Sequence, residues 1–156
     1  MTMREKFTSA EATIHYYVVQ FDAAMLPWAD FRGKVLGPTD PAAAPAESLR
    51  GTLHADWAKL GMAAAPDTSD NGVHASASPF EGLAERMNWL SVAMADDVFG
   101  KALLGAGIAE ETIKEWAVDP QVTVGPDSKK GSLFDQLEDL DCDECLAKAT
   151  ALAELQ

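Results

Sequence analysis

The apolar residues of this chain change their spacing once, early on. Ala12-Thr-Ile-His-Tyr-Tyr-Val-Val-Gln-Phe21 is a continuous run of β-branched and aromatic residues and predicts a strand. Nothing after it reads as strongly extended. Pro27 stands where a helix can start and Gly37 where one can stop, around Trp28, Phe31 and Val35. Gly37-Pro-Thr-Asp-Pro41 and Ala42-Ala-Ala-Pro45 predict a rigid loop. Leu49, Leu53, Trp57 and Leu60 then fall on one helical stripe closed by Gly61. Residues 62–72 form a polar loop with Pro66 and Asn71-Gly72. Ser78 with Glu81 three residues later spells a capping box, with Pro79 at the first helical position. The helix it opens carries the stripe Phe80, Leu83, Met87 and Leu90. Val98–Leu104, Glu110–Trp116, Ser132–Leu140 and Cys142–Leu155 also have helical spacing, while residues 118–131 read as extended or loop. The sum is a helix-rich α+β chain without internal repeats. Trp57, Trp89 and Trp116 lie on helical apolar stripes and read as core.

Composition narrows the partners. A chain of 156 residues, 47% hydrophobic, is long enough for one domain with a real core. Twelve Lys and Arg against 25 Asp and Glu leave a net charge of −13, which disfavours nucleic acid and anionic membranes as partners. A phosphate ligand then requires a local cluster of basic side chains. No apolar run approaches the ~20 residues of a membrane span. No apolar stretch follows Met1-Thr-Met-Arg-Glu-Lys, so no secretory signal is expected. Cys142 and Cys145 form a C-x-x-C among acidic residues, without a second pair or a nearby histidine to complete a zinc site. They read as reduced thiols on a helix, in the cytosol or a reducing organelle interior. Redox chemistry there is the weaker alternative. The acidic run Glu138–Glu144 lacks the spacing and glycine of a calcium loop.

Candidate chemistry centres on one of three histidines. His15 sits in the apolar strand and reads as a core or face residue, and His54 beside Leu53 as a solvent-facing one. His74 lies in the small-residue turn Asn71-Gly-Val-His-Ala-Ser-Ala-Ser78, just ahead of a helix that carries Glu85. That setting suits an imidazole that must be approached closely and held in one orientation.

Strand Thr13–Phe21, the Gly37-Pro-Thr-Asp-Pro41 loop, Ser48-Leu-Arg-Gly51 and Asn71-Gly-Val-His-Ala-Ser76 follow one another in an order that resembles the C-terminal half of the nucleoside diphosphate kinases. The resemblance covers roughly residues 12 to 90. It implies transfer of a phosphoryl group between nucleotides through a phosphohistidine at His74. It further implies that Glu85, eleven residues on, orients the ring, and that Ser76 hydrogen-bonds in the same cluster. Arg50 and Thr39 match phosphate-binding groups, Asn71 matches a ribose contact, and Arg32 is a second candidate arginine. ATP or another nucleoside triphosphate with Mg²⁺ would be the cofactor, with no metal held by the protein itself. On their own residues, Arg50 and Glu85 equally fit surface positions on helices, and Glu81 fits a simple cap.

The chain departs from the family pattern in several places. The first strand with its Lys-Pro-Asp motif, the next helix and strands and a phosphate-binding tyrosine have no counterpart here. Ala75 and Ala77 replace a glycine and an aspartate. Arg32 lies five residues ahead of Gly37, where the family arginine lies four ahead. The Arg50–His74 spacing is about eleven residues longer than the family's usual one. Residues beyond 91 lie outside the common pattern, as in longer algal and protist relatives.

The resulting expectation is a partial ferredoxin-like fold over residues 1–91 and an all-helical C-terminal extension over 92–156. A lone strand needs a partner, so a protein partner or oligomer completing the sheet is expected. The chain would then be one half of a longer polypeptide, or a separate product of that half. Two functions follow: a kinase-like phosphotransferase, or an inactive family remnant serving as a structural or interaction subunit.

Overall fold

The computed structural model describes residues 8–125 and 129–156. The first residues of the N-terminus, on which the signal expectation rests, and the middle of the 118–131 loop lie outside them. By its contacts the chain forms two compact units, one from Met1–Leu26 with Asp30–Ala75 and one from Pro27–Ala29 with Ser76–Gln156. The division thus falls earlier than the boundary at residue 91 expected from the resemblance.

In the first unit the apolar run does not become a strand. Residues 12–22 have no regular secondary structure and pair with no strand among the described residues. Ile14, Tyr16, Tyr17, Val18 and Val19 are exposed, Tyr17 to 87%. Strand-forming residues need a neighbouring backbone for their N–H and C=O groups, and this unit offers none. The segment after Pro27 begins as a helical turn, Trp28–Asp30, and continues as a π-helix over Phe31–Leu36. Gly37, at φ +96°, ends it and donates its N–H to the Arg32 carbonyl at 3.0 Å. A short 3₁₀ turn, Pro41–Ala43, is capped by Asp40. Helix α1, Leu49–Asp56, is capped by Ser48, whose Oγ accepts from Gly51 N–H and donates to the Pro45 carbonyl at 2.7 Å. A Cβ on Gly51 would lie 2.0 Å from that same carbonyl oxygen, so only glycine fits there. The helix stops four residues before Leu60, and Leu49 and Leu60 are exposed, so the stripe read from the sequence does not form a core.

The apolar core belongs to the second unit. Helix α2 (Pro79–Leu90) opens as the sequence predicts: Ser78 caps it, accepting from Glu81 N–H, while Glu81 reaches back to Ala77 N–H. Helices α3 (Val98–Gly105), α4 (Glu110–Trp116), α5 (Leu133–Leu137) and α6 (Cys142–Ala153) follow. Phe80 and Leu83 of α2 pack with Leu103, Ile113, Trp116, Leu133, Leu137, Cys145 and Leu152. Phe80 meets Trp116 and Phe134 edge-on, each at 6.1 Å. Trp89 is 63% exposed, against the core position expected for it, because it falls on the outer face of α2.

The extension is not all helical. Strands β1 (Gln121–Thr123) and β2 (Lys130–Ser132) pair antiparallel, with Val122 opposite Gly131. Val122 is buried and brings the hairpin into the core. Asp119 at φ +54° turns the chain into it, and its carboxylate accepts from Ser132 Oγ and Phe134 N–H. The protein is therefore mixed helix and sheet, with its sheet in the C-terminal region.

Buried Asp97 caps α3 by accepting from Phe99 N–H at 2.8 Å and Gly100 N–H at 3.0 Å, and it pairs with Arg86 of α2. A Cβ on Gly100 would sit 2.2 Å from the Met94 carbonyl oxygen. Gly100→Ala is therefore expected to lower the unfolding free energy by about 1–3 kcal/mol through overpacking. Gly105→Ala, whose Cβ would meet nothing within 4 Å, is expected to raise it by about 0.5 kcal/mol. Urea unfolding of both variants checks the opposite signs.

Candidate functional site

Three motifs far apart in sequence meet in the first unit. Arg50, on α1, donates from Nη1 to the Gly37 carbonyl and from Nη2 to the Val73 carbonyl, both at 2.8 Å. Asn71 Nδ2 donates to the Thr39 carbonyl at 3.3 Å. The loop at residues 37–39 and the turn at residues 71–74 are thus tied to each other and to α1. Gly72 takes φ +79° in that turn, and a Cβ there would lie 3.1 Å from Leu53 Cδ1. His74 and Thr39 are exposed beside these anchored carbonyls.

Arg50 is 9% exposed, and no carboxylate pairs with it among the described residues. Its Nε is buried without a hydrogen-bond partner. Burial and then the neighbouring charge of Arg32 lower the guanidinium's pKa. It remains protonated at neutral pH, because its ordinary value is so high. Two arginines of the candidate set are therefore close enough to feel each other in a chain of net charge −13.

Ser76 and Glu85 meet in the second unit. Ser76 Oγ donates to Glu85 Oε2 at 2.5 Å, the turn before α2 reaching back along the helix face. The Ser76 carbonyl accepts from Trp28 Nε1 at 2.9 Å, and Trp28 N–H donates to Asp141 Oδ1 at 2.7 Å. Asp139 N–H donates to the Ala77 carbonyl at 2.9 Å. Trp28, Asp139 and Asp141 were not legible as partners of this turn. Their bonds join positions 48 or more residues apart through backbone groups, which leave no mark in side-chain spacing.

Of the seven residues singled out, Arg32, Thr39, Arg50, Asn71 and His74 belong to the first unit, and Ser76 and Glu85 to the second. Among the described residues no group of three or more His, Cys, Asp or Glu could hold a metal ion, and no helix is long and apolar enough to cross a membrane.

Neither cysteine is activated. Burial, then Asp141 and Asp143, raise the Cys142 pKa, and burial pushes Cys145 up to about 12. A raised pKa means less thiolate at neutral pH and a slower nucleophile. Iodoacetamide at pH 7.5 is expected to label Cys142 more slowly than a free thiol, with the rate rising as pH increases. Cys145 should label only after denaturation. Mass spectrometry of the time course checks both, and a fast thiol at neutral pH would revive the redox alternative.

Comparison of the chain with protein-family models, curated proteins and solved structures found no match.

Proposed function

We propose that this protein is a nucleoside diphosphate kinase-like phosphotransferase in which His74 accepts a phosphoryl group from a nucleoside triphosphate and passes it to a diphosphate. The observation that carries this reading is the convergence of the Gly37–Thr39 loop, Arg50 and the Asn71–His74 turn through three hydrogen bonds. Separated motifs that meet around an exposed imidazole support a site more than any of them does alone. In this reading residues 1–91 correspond to the C-terminal half of a ferredoxin-like family fold.

The chemistry follows from ordinary group properties. A neutral imidazole carries a ring-nitrogen lone pair that can attack phosphorus. A ring nitrogen forms the P–N bond while the bond from the γ-phosphorus to the β–γ bridging oxygen breaks, and the diphosphate leaves. The second nucleotide reverses the step. Phosphoryl transfer relies on positioning and on cationic charge around the equatorial oxygens, which the resemblance implies for Arg50, with Arg32 as a second candidate. Thr39 and Asn71 lie on the two tied segments and would contact phosphate and ribose. Ser76 and Glu85 hydrogen-bond to each other within the second unit. Mg²⁺ belongs to the nucleotide in this scheme, held by its phosphates, where it would screen their charge.

A second reading, a structural or interaction subunit, is favoured by the exposed run Ile14–Val19. A solvent-facing stretch of five large apolar residues marks a place for another chain's strand or surface. In this reading the chain is a catalytically inactive family remnant that binds a partner.

Incubation with γ-labelled ATP tests the first. Acid-labile, alkali-stable label is expected on the wild-type chain and absent from His74→Ala. A folded wild-type chain that takes no label would leave the interaction reading alone. Sedimentation tests the second: an oligomer or complex is expected, lost in Tyr17→Lys with Val19→Lys, and a stable monomer counts against it.

A further inference from the structure

We infer that Arg50 is a positioning residue for His74 rather than chiefly a ligand of the nucleotide phosphates. The inference rests on the phosphotransferase reading for its kinetic consequence, but its geometric basis lies in the ligand-free chain. Both terminal nitrogens of the guanidinium donate to backbone carbonyls, one of them Val73, the residue immediately before the histidine. The other is Gly37, at the end of the π-helix and the start of the loop that Asn71 also holds. The side chain is buried and its Nε is enclosed, so the group is already committed to the protein's own backbone. A planar fork with fixed N–H directions can bridge two carbonyls from segments 13 and 23 residues away, and a lysine ammonium on a flexible stem cannot hold the same pair in one plane. The first unit also has little else to fix this turn. Leu36, Pro41 and Pro66 are its buried apolar side chains among the described residues, so the polar clamp supplements sparse apolar packing.

The test separates positioning from ligand binding by substituting charge without the fork. Arg50→Lys and Arg50→Gln are expected to slow phosphohistidine formation alike, by on the order of 100-fold, as expected for a misplaced reacting group. The ATP concentration giving half the maximal rate should change by less than about 3-fold, because ground-state binding is not what is lost. In the ligand-free protein, the His74 ring and the Val73–His74 amides should shift in nuclear magnetic resonance spectra of Arg50→Lys, while core signals such as the Trp116 indole stay in place. Retained activity in Arg50→Lys, or a raised half-saturating concentration with unchanged ligand-free spectra, would overturn the inference. If the wild-type chain takes no label, the phosphotransferase reading fails, and the ligand-free spectra still decide the clamp. Should both variants lose the dispersion of the first unit's amides, an ester in place of the Val73–His74 peptide bond gives the answer. It weakens the carbonyl acceptor and leaves Arg50 itself intact, so shifted Arg50 guanidinium signals support the clamp and unmoved ones refute it.

Discussion

A buried guanidinium must find acceptors, and the first unit is arranged around how Arg50 finds them. Among the described residues no carboxylate pairs with it, and its two terminal nitrogens donate to the carbonyls of Gly37 and Val73. Those bonds dictate which neighbours are possible. A Cβ at Gly37 would come within 2.7 Å of Ser48 Oγ and 3.3 Å of Arg50 Cβ, and the residue needs φ +96°. Ser48 caps α1, and Gly51 admits the Pro45 carbonyl against the first turn. The motif Ser48-Leu-Arg-Gly51 is thus a cap, a bridge and a close approach in four consecutive residues. Each part has a steric or hydrogen-bonding reason apart from any ligand.

The π-helix gives physical meaning to a spacing that looked like a defect. In the sequence Arg32 stands five residues before Gly37, one more than the proposed phosphotransferase reading expects. In an α-helix Gly37 N–H would bond to residue 33; here it bonds to the carbonyl of Arg32. The wider turn absorbs the additional residue, so Arg32 takes the hydrogen-bonding place relative to Gly37 that a residue four ahead would otherwise hold. Its charge is felt at Arg50, as expected if the two guanidiniums neighbour one another. A one-residue mismatch in a motif is therefore not grounds for discarding the residue when the backbone can widen by one position.

What could be read beforehand divides by the range of the interaction. Local signals were legible: the Ser78 cap with Pro79, the Gly37 stop, and Phe80 and Leu83 as the inner face of α2. Ser76 Oγ donates to Glu85, a bond between a turn and a helix nine residues on that side-chain spacing did not signal. The strand at residues 13–21 was misread because its composition was judged without asking what would lie beside it. The hairpin was missed for the opposite reason: Gln121–Thr123 is too short and too polar to signal a strand, and only pairing with Lys130–Ser132 makes it one. Nor could side-chain spacing show Arg50 reaching Val73 or Trp28 reaching Ser76, since in both the acceptor is a backbone carbonyl that every residue possesses.

The two units differ in what holds them, and this bears on the first unit's chemistry. The second has an aromatic and aliphatic core to which α2, the hairpin and the C-terminal helices all contribute. The first relies on Arg50, Ser48 and buried prolines, while Ile14, Tyr16, Tyr17, Val18 and Val19 remain in water. Burying each such side chain would contribute roughly 1.5–3 kcal/mol, about what one hydrogen bond of the charged Arg50 clamp contributes. The five together would therefore outweigh the two bonds of the clamp. A surface that covered residues 14–19 would add the missing apolar stabilisation to the same unit that holds His74. In that sense the exposed segment and the clamp are complementary: one fixes geometry, and the other is where rigidity can be added.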